Sequence, residues 1–554
     1  MKRYIPILLI LILATVLRVW NITNSPSGLN ADEAALGYNA YSLMLTGRDE
    51  HGHSWPVNLE SFGDFKPAGY AYLLIPFIKV FGLTEFAVRL PSAIFGVLGV
   101  LGVYLLTNAL YLTPSPSPKL GEGGPGRVGE VLGLISALLL AISPWHLHFS
   151  RGAWEVNVST TLIVFGMWFL VKWLKNPKIH YLLLATCHLS LSLYTYQSSR
   201  VIVPLLGLGI FILYFKNFRE NLKQTIIAGI MLLLILLPLI VSIIKSDAAS
   251  RLSGVGILAD TGPTERAKEL RNQHESLNSI PSKLLHNRPV QYGLRFIQNY
   301  LDHFDGNFLF INGDVIERNK VPEMGLFYLT DILFLVIGVV YLIKQDNKYI
   351  KIIWLWLLIA PIAAAMTFQT PHALRAFNMV IPMTIIIATG FVFIKEYPFR
   401  LKRILLFVVI GLYVFQLGDY LYKYHVRYPK EYPAAWEYGF KELVAYTESV
   451  KDKYPKVWVT DKYDQPYILF LFYSKYDPRK FQGNHTLTFR DKFNFSTVRD
   501  YDKYHFESAP WDKVRNQHSA LIIAAPEDIP DRGVDVIKTI NFPNALPAFK
   551  IVSN

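Results

Sequence analysis

The chain has 554 residues, of which 52% are hydrophobic and 18% are charged, and its mean hydropathy is +0.28. Soluble domains carry about 25% charged residues, so this composition excludes an ordinary soluble protein and indicates a membrane protein. The net charge of +13 does not indicate a nucleic-acid partner, because the basic residues are spread over separate loops between apolar segments.

Eleven apolar segments predict membrane-spanning helices, because a helix needs about 20 apolar residues to cross the hydrocarbon core. They are 4–20, 86–111, 131–149, 157–174, 180–198, 200–215, 224–244, 326–343, 351–368, 374–394 and 404–422. The first segment has no small-residue cleavage site, so it is predicted to be a retained helix and not a signal peptide. A further segment, 68–82, is predicted to be re-entrant or interfacial.

The basic residues between these segments fall in alternate loops, which is the positive-inside pattern. The loops that carry them contain Lys2 and Arg3; Lys119 and Arg127; Lys172, Lys175 and Lys178; Lys216, Arg219 and Lys223; Lys344, Lys348 and Lys351; Lys395, Arg400, Lys402 and Arg403. This predicts a multi-pass protein of the plasma (inner) membrane with a cytoplasmic N-terminus. Because eleven spans is an odd number, the C-terminus is predicted to be extracytoplasmic.

The predicted outer face holds most of the polar sequence. It comprises the loops 21–85 and 245–325 of a transmembrane domain, 1–422, and a tail domain, 423–554. One inner stretch, "TPSPSPKLGEGGPGRVGE", is rich in Pro and Gly and is predicted to be a disordered insertion. Any chemistry is therefore expected at the outer surface of the membrane.

The tail differs in character from the rest of the chain. "KVWVT" and "ALIIAA" are typical of strands, "YPAAWEYGFKELVAYTESVKDKYP" has helical spacing, and "QPYILFLFYSKYDP" fits a short helix or a strand. The predicted fold class is thus a polytopic α-helical membrane protein with a small C-terminal α/β domain. The tail carries no catalytic motif, so a packing or acceptor-recruiting role is expected.

Two adjacent carboxylates, Asp32 and Glu33 in "LNADEAALGYN", follow the first span by about a dozen residues. A carboxylate held near the membrane and partly desolvated is a suitable general base for a hydroxyl group. Asp32 is therefore a candidate catalytic base, and Glu33 a residue that orients it or the acceptor. The alternative is that the pair caps the helix predicted to begin at "ADEAALG".

Three arginines, Arg151, Arg200 and Arg375, are each isolated in a short outer loop, against the charge rule. The guanidinium fork suits phosphate oxygens, so these residues and Lys66 are predicted to bind a donor phosphate. The alternative is that an interfacial arginine reaches lipid headgroups or pairs with a nearby acid, as Arg151 could with Glu155.

Other polar residues are weaker candidates. Tyr194 and Tyr196 fit an aromatic belt or the wall of a sugar or lipid groove, and His372 is a substrate-binding candidate. Several histidines lie in outer loops, but they lack tight ligand spacing, so no metal ligand is assigned. They are His51, His53, His146, His148 and His372.

After the acidic pair, the motifs "FKPAGYAYLLIP" and "LTEFAVRLPSAIFGVLGV" resemble family 39 glycosyltransferases of the GT-C superfamily, such as protein O-mannosyltransferases and the lipid A aminoarabinose transferase. The likeness covers residues 1–420 in layout and 1–160 in motifs. It implies a GT-C fold and inverting transfer of a sugar from a polyprenyl-phosphate carrier on the outer face. It also implies that Asp32 matches the family's catalytic acidic residue, with Glu33 as its neighbour. By the same resemblance, Lys66 matches the basic residue of a "KP" element, and Glu155 lies where members carry a further acidic residue.

The predicted partners are a polyprenyl-phosphate-linked sugar, a protein, lipid or glycan acceptor, and membrane lipids, with no nucleic acid. No cofactor is identified, although a divalent metal is an alternative to fixed cations for stabilising the leaving phosphate. An oligosaccharyltransferase is a rival interpretation, but its "WWD" motif does not occur in the chain. A transporter or flippase is another, but no convincing internal repeat is found. A non-enzymatic scaffold would not need the acidic pair and the outer arginines together.

Overall fold

A computed structural model of the chain describes residues 2–111, 125–245, 256–273, 279–345, 347–396, 402–490, 496–517 and 519–553. Most of the described chain is helical. The α-helices are Ile5–Val19, Ala31–Thr46, Gly69–Phe81, Glu85–Tyr111, Pro125–Ile142, Pro144–Arg151, Glu155–Lys175, Ile179–Leu193, Ser199–Leu213, Phe215–Glu220, Leu222–Lys245, Gly262–Asn272, Ile280–Leu285, Arg288–Asp302, Leu329–Ile343, Lys351–Ile359, Ile362–Ala365, Val380–Glu396, Lys402–Tyr422, Tyr428–Glu431, Phe440–Val450, Pro466–Ser474, Pro478–Phe481 and Trp511–Val514.

An apolar helix lies at each of the eleven positions predicted to span the membrane. Within the described ranges, five helices are long and apolar enough to cross a membrane on their own, or six if one bent pair counts as a span. The five are Glu85–Tyr111, Glu155–Lys175, Leu222–Ile244, Lys348–Ala365 and Arg403–Glu431. The polytopic helical class is therefore confirmed, while the number of eleven crossings stays a prediction.

The predicted span 131–149 is not one straight helix. It consists of Val128–Ile142 and Pro144–Arg151, which meet at an angle of 58°. Pro144 begins the second helix because proline has no backbone N–H to continue the first. Segment 68–82 forms the helix Gly69–Phe81, which at about 1.5 Å per residue is too short to cross the hydrocarbon core.

The predicted disordered insertion, residues 113–130, lies mostly outside the described residues. Its last six residues, 125–130, belong to the helix Pro125–Ile142.

Internal contacts divide the chain into two compact units. One comprises residues 1–14, 96–148 and 156–417, and the other comprises residues 15–95, 149–155 and 418–554. This division by contacts differs from the predicted boundary at residue 422, which separates the chain by membrane environment. The boundary at 422 stays a prediction.

The second unit contains the nine strands of the described residues: β1 (Asn58–Ser61), β2 (Asp64–Pro67), β3 (Lys456–Val459), β4 (His485–Leu487), β5 (Val498–Tyr501), β6 (Tyr504–Phe506), β7 (Ala520–Ala524), β8 (Val536–Asn541) and β9 (Pro547–Ser553). β1 and β2 form a hairpin, and the other seven form one sheet in the order β4-β5-β6-β3-β7-β9-β8. β3 pairs in parallel with β6 and β7, and the remaining neighbours are antiparallel. The predicted C-terminal α/β domain is confirmed.

In the same unit, the helix Ala31–Thr46 packs directly on the tail. Gly37 permits the close approach, because a Cβ there would lie 2.7 Å from the ring of Phe472. The hydroxyl of Tyr38 donates to the backbone carbonyl of Tyr476 at 3.0 Å. The helix that carries the acidic pair is thus fixed against the tail helix Pro466–Ser474.

Candidate active site

The N-terminus of the helix Ala31–Thr46 is closed by a capping box. The side chain of Asn30 accepts from the backbone N–H of Glu33 at 3.0 Å, and the Glu33 carboxylate accepts from the backbone N–H of Asn30 at 3.3 Å. The capping alternative therefore holds for Glu33, with Asn30 as its partner. Asp32 lies in the same first turn, where the helix dipole favours a carboxylate.

Glu33 is buried, with 1% of its surface exposed, and it faces Arg89. Arg89 donates from Nε to Oε1 at 2.9 Å and from Nη2 to Oε2 at 2.8 Å. The backbone N–H of Ala153 also donates to Oε1, at 2.7 Å. Because both carboxylate oxygens already accept two hydrogen bonds each, the structure favours a positioning role for Glu33 over contact with an acceptor.

Arg89 also fixes the loop that precedes the helix. Its Nη1 donates to the carbonyl oxygens of Ile22 and Pro26, each at 3.0 Å, and its Nη2 donates to the carbonyl oxygen of Gly28. Sequence reasoning did not single out Arg89. The available signal was an ionisable residue near the start of an apolar helix, which is a functional-site hypothesis by default.

Asp32 binds a different cation from its neighbour. Lys66 Nζ donates to Asp32 Oδ1, and 35% of the Asp32 side chain and 13% of the Lys66 side chain are exposed. The β1–β2 hairpin positions Lys66 opposite Leu59, and its ammonium lies 4.7 Å from the centre of the Phe62 ring. Asp32 is therefore an accessible carboxylate beside a fixed positive charge, which can accept a proton from an incoming hydroxyl group.

The loop after this helix holds a buried acid, Glu50, whose role the sequence did not indicate. The pKa of Glu50 is raised to about 8, mainly by burial. The nearby carboxylates of Asp49 and Glu60 add to this rise, and Asn39 and Lys66 oppose it. Glu50 is therefore neutral at pH 7.

His51 adjoins Glu50, with Nε2 3.7 Å from Glu50 Oε1, and burial lowers the pKa of His51 to about 3. Its Nδ1 lies 3.3 Å from His485 Nε2, and His485 Nδ1 lies 3.1 Å from the Phe481 carbonyl oxygen. Because that carbonyl can only accept, a hydrogen bond to it places a proton on His485 Nδ1, and Nε2 can then accept from His51 Nδ1. This partly buried histidine pair joins the outer loop to the tail.

Arg151 is buried, and its guanidinium is occupied by the end of the first helix and the loop after it. It donates to the carbonyl oxygens of Leu17 at 2.6 Å, Trp20 at 2.8 Å and Ser25 at 3.2 Å, and it lies 5.2 Å from the ring centre of Tyr424. Phosphate binding by Arg151 would require these contacts to break. Arg151 is therefore given no phosphate-binding role in the proposed mechanism.

Glu155 begins the helix Glu155–Lys175 and is largely buried. The preceding residue, Trp154, packs edge-on against Phe149 and Trp436, with ring centres 5.2 Å and 6.0 Å away. The carboxylate of Glu155 thus lies in the first turn of its helix, where the helix dipole stabilises negative charge. Its substrate-binding role stays a prediction.

The other predicted residues lie in the first unit. At the turn between helices Ile179–Leu193 and Ser199–Leu213, Arg200 donates to the Leu193 carbonyl oxygen and to Gln197 Oε1, both at 3.1 Å. The hydroxyl of Tyr194 donates to the Ile235 carbonyl oxygen. The backbone N–H of Tyr196 donates to the Ser192 carbonyl oxygen at 3.3 Å.

Arg375 and His372 belong to one buried polar network. Arg375 Nη1 donates to Thr367 Oγ1 at 2.8 Å, and the backbone N–H of His372 donates to His303 Nε2 at 3.2 Å. Asp314 accepts from the backbone N–H of Ala373 at 2.6 Å, and its Oδ2 lies 3.7 Å from His372 Nδ1. Burial raises the pKa of Asp314 and lowers the pKa of His303 to about 4. Asn299 connects the two sets of contacts, because its side chain donates to the Thr367 carbonyl oxygen at 3.0 Å and its own carbonyl oxygen lies 2.7 Å from His303 Nδ1.

A metal ion in a protein needs several His, Cys, Asp or Glu ligands close together. Over the ranges that the structure describes, no three His, Cys, Asp or Glu side chains are grouped so that they could hold a metal ion.

No protein-family model and no curated protein matches this chain. Solved structures do match. ArnT from Cupriavidus metallidurans bound to undecaprenyl phosphate aligns with a TM-score of 0.55 at 10% identity, over 98% of this chain and 97% of that one. The apo form of the same protein aligns with a TM-score of 0.54 at 11% identity, with the same coverage. The chain shares the ArnT fold.

A third match is the archaeal oligosaccharyltransferase AglB from Archaeoglobus fulgidus, solved with an inhibitory peptide and a dolichol-phosphate. Its TM-score is 0.50 at 12% identity, over 85% of this chain. This chain spans 63% of the length of AglB. ArnT and AglB are both GT-C glycosyltransferases, so the GT-C-like fold predicted from the sequence is confirmed.

Proposed function

We propose that this chain is a membrane glycosyltransferase that moves a sugar from a polyprenyl-phosphate carrier to an acceptor hydroxyl group on the outer face of the membrane. The observation that carries the proposal is the partly exposed Asp32 carboxylate beside Lys66, on a helix start fixed by Glu33 and Arg89. It is supported by the fold shared with ArnT, which was solved with undecaprenyl phosphate, and with AglB, which was solved with a dolichol-phosphate.

Asp32 is the general base. As the acceptor oxygen attacks the anomeric carbon, its proton passes to the Asp32 carboxylate. The bond between the anomeric carbon and the phosphate oxygen breaks, and its electron pair leaves with the polyprenyl phosphate. A direct displacement of this kind inverts the anomeric centre. Glu33 acts indirectly, because its bonds to Arg89 and to the Asn30 backbone fix the turn that carries Asp32.

The leaving phosphate gains negative charge in the transition state and needs cations near it. Lys66, which lies beside the base, supplies one in this proposal. Arg200 and Arg375 are separate candidates for the carrier phosphate, because the planar guanidinium fork suits phosphate oxygens. His372, Tyr194, Tyr196 and Glu155 remain candidates for contacts with the sugar or the acceptor.

The acceptor is a protein, lipid or glycan hydroxyl group, and the site is assigned to the extracytoplasmic face of the plasma membrane. This assignment follows from the predicted topology, in which the N-terminus is cytoplasmic and residues 21–85 are outside.

The test compares Asp32→Asn with the wild type in detergent, with a polyprenyl-phosphate sugar as the donor and release of the polyprenyl phosphate as the measurement. Transfer should fall by about 10²-fold or more, the usual scale for loss of an acid–base group, while binding of the carrier is kept. Asp452→Asn, at an exposed aspartate of the same unit, is the matched control and should leave transfer unchanged. Normal transfer by Asp32→Asn would overturn the assignment of the base.

An oligosaccharyltransferase is the second candidate, because AglB shares the fold. The mass of the transferred glycan separates the two activities: a single sugar supports the first proposal, and a block of several sugars supports the second. A lipid-linked glycan flippase would release no polyprenyl phosphate in the same assay.

A further inference from the structure

A cavity of about 560 Å³ lies within the unit formed by residues 15–95, 149–155 and 418–554. Its walls come from the loop 23–28, from Glu85 at the start of its helix, and from positions of the tail between 429 and 543. The volume is in the range of small-molecule sites, which is about 300–1,000 Å³. Among the described residues, its lining does not include Asp32 or Lys66. It is therefore a different site from the proposed catalytic pair.

The charge of the lining disfavours an anionic ligand. Three carboxylates line it, Glu85, Glu437 and Glu442, against one ammonium group, that of Lys441. Lys441 Nζ lies 2.8 Å from Glu85 Oε1, so one of these acids already has its cation within the wall. A phosphorylated ligand would place like charges together, whereas a neutral or amino-substituted one would not.

The rest of the lining suits a ligand with many hydroxyl groups. Thr23, Ser27 and Asn24 supply short polar groups, and Tyr438 and Tyr473 supply phenol groups on aromatic rings. The Ser27 hydroxyl oxygen is buried and has no hydrogen-bond partner within the part of the chain that the structure describes. A saccharide ring combines hydroxyl groups that donate and accept with apolar C–H faces that pack on aromatic rings. Carboxylates, hydroxyls and tyrosines together match both features.

The backbone of the wall is fixed in an unusual conformation. Glu437 adopts the left-handed region, with φ of 43° and ψ of 43°, and Gly439 has φ of 99°. Gly28 is required by close packing, because a Cβ there would lie 1.9 Å from the Trp436 carbonyl oxygen. A non-glycine residue in the left-handed region costs about 1–3 kcal/mol, and such residues cluster at ligand sites. The wall thus combines close packing at Gly28 with a left-handed backbone at Glu437.

One side chain connects this wall to the proposed catalytic helix. Arg89 Nη2 donates to the carbonyl oxygen of Gly28 in the wall and also to Glu33 Oε2, next to Asp32. The cavity wall and the turn that carries the base therefore share an anchor.

We propose that this cavity binds a non-phosphorylated saccharide, which is a sugar unit of the acceptor apart from the unit whose hydroxyl group attacks at Asp32. The naming of the saccharide as the acceptor rests on the proposed function; the binding of a saccharide does not. This gives the tail domain a recognition role beside its packing role.

The test blocks the cavity from a position that tolerates substitution. Ala445 lines the cavity and is exposed on the helix Phe440–Val450, so Ala445→Trp fills space without disturbing a packed core. Ser449 is exposed one turn further along the same helix and does not belong to the lining, so Ser449→Trp is the matched control.

The measurement is saturation-transfer NMR on the full chain in detergent, with N-acetylglucosamine, glucosamine, maltose, glucose 6-phosphate and methylammonium as probes. At least one non-phosphorylated saccharide should give a signal with the wild type and with Ser449→Trp. The signal should fall at least tenfold with Ala445→Trp, and glucose 6-phosphate should give none. The proposal is wrong if no saccharide binds, if Ala445→Trp binds equally well, or if methylammonium alone binds.

Binding of undecaprenyl phosphate to the same three proteins separates the two proposals. We expect Ala445→Trp to keep carrier binding while it loses saccharide binding. A wild-type chain that binds the carrier but no saccharide overturns the cavity proposal alone. A chain that binds a saccharide but no carrier overturns the transferase proposal, and with it the naming of the saccharide as the acceptor.

Discussion

Arg89 and Glu33 form a two-point ion pair in the interior of their unit, with both side chains essentially unexposed. The pair joins the start of the helix Glu85–Tyr111 to the start of the helix Ala31–Thr46. Since Arg89 also holds three carbonyl oxygens of the loop between residues 22 and 28, one guanidinium fixes the surroundings of Asp32.

Removal of one partner from this pair should be strongly destabilising. Arg89→Ala leaves the Glu33 carboxylate buried without its cation, which costs about 3–5 kcal/mol in comparable cases. We expect a clear fall in the apparent melting temperature of the detergent-purified protein. The control is Lys503→Ala, which breaks the exposed pair with Asp452 and should cost less than about 1 kcal/mol. Equal melting temperatures for the two variants would contradict the structural role of Arg89.

Only those features of the site that have a local sequence signal could be predicted. Asp32 and Lys66 were both recognised, but the cation of Asp32 lies 34 residues away along the chain and that of Glu33 lies 56 residues away, and only the fold shows which carboxylate meets which cation. Asn30 and Glu33 carry the capping-box spacing in "NADE", a signal that was available and was not used. The structural contacts of Arg151 could not be predicted, because its partners are backbone carbonyl oxygens, which have no sequence signature.

The fold shows the same limit. Hydropathy located every apolar helix, because burial in lipid requires a long apolar run. The strands β3 and β7 were recognised because they are central and largely buried, whereas β4 and β8 are edge strands with mostly polar, exposed residues. The break at Ser143 was missed because an apolar run continues through it, although Pro144 was a visible signal.

Lys66 should contribute to the rate more than to the stability of the protein. Lys66→Met removes the charge beside Asp32 and keeps most of the side-chain length, so transfer should fall about 10- to 100-fold, the scale of a hydrogen bond to a charged group. Lys66→Arg keeps the charge and should recover part of the loss. The control is Lys462→Met, at a partly exposed lysine paired with Glu527 in the same unit. A transfer rate unaffected by Lys66→Met would remove Lys66 from the mechanism.

The predicted phosphate binding by Arg375 can be tested separately from its hydrogen bond to Thr367. Arg375→Ala should weaken binding of the lipid carrier by about 1.5–3 kcal/mol if the guanidinium binds phosphate. Thr367→Val removes the hydroxyl that accepts from Arg375 and keeps the guanidinium, so it should leave carrier affinity almost unchanged. Equal losses in the two variants would mean that Arg375 acts only through its structural contact.

Arg200 allows the same comparison. Arg200→Ala should weaken carrier binding on the scale given for Arg375, because both are assigned to the donor phosphate. Gln197→Leu removes the side-chain oxygen that accepts from Arg200 and should change carrier affinity little. If Arg200→Ala binds the carrier as the wild type does, Arg200 is not a phosphate ligand.

The predicted topology can be tested by reporter fusions. A reporter that is active only outside the cytoplasm should be active when it is fused after residue 423, and inactive when it is fused in the basic loop near residue 346. The reverse pattern would overturn both the orientation and the placement of Asp32 on the outer face.

The neighbouring residues Glu50 and His51 should make stability depend on pH in opposite directions, over windows that overlap between about pH 4.5 and 6.5. The pKa of Glu50 is raised to about 8 in the folded protein, so between about pH 4.5 and 8 the folded state keeps a proton that the unfolded chain has released. Stability from this group is therefore lost as the pH rises. The pKa of His51 is lowered to about 3, so below about pH 6.5 the unfolded chain binds a proton that the folded state excludes. Stability from this group is lost as the pH falls.

Substitutions should remove the pH-dependent contributions of Glu50 and His51 one at a time. Glu50→Gln mimics the protonated acid and cannot titrate, so its melting temperature should fall less than that of the wild type between pH 5 and 8. At 1.36 kcal/mol per pKa unit, the loss of stability that Glu50 causes in the wild type between pH 5 and 8 is at most about 4 kcal/mol. Between about pH 4.5 and 6.5 the two effects offset each other in the wild type, so His51→Gln should gain stability as the pH falls through this window, and above pH 6.5 it should follow the wild type. Asp452→Asn, at an exposed position, should follow the wild type throughout. If the melting temperatures of Glu50→Gln and the wild type change with pH in parallel, Glu50 is already ionised in the folded protein.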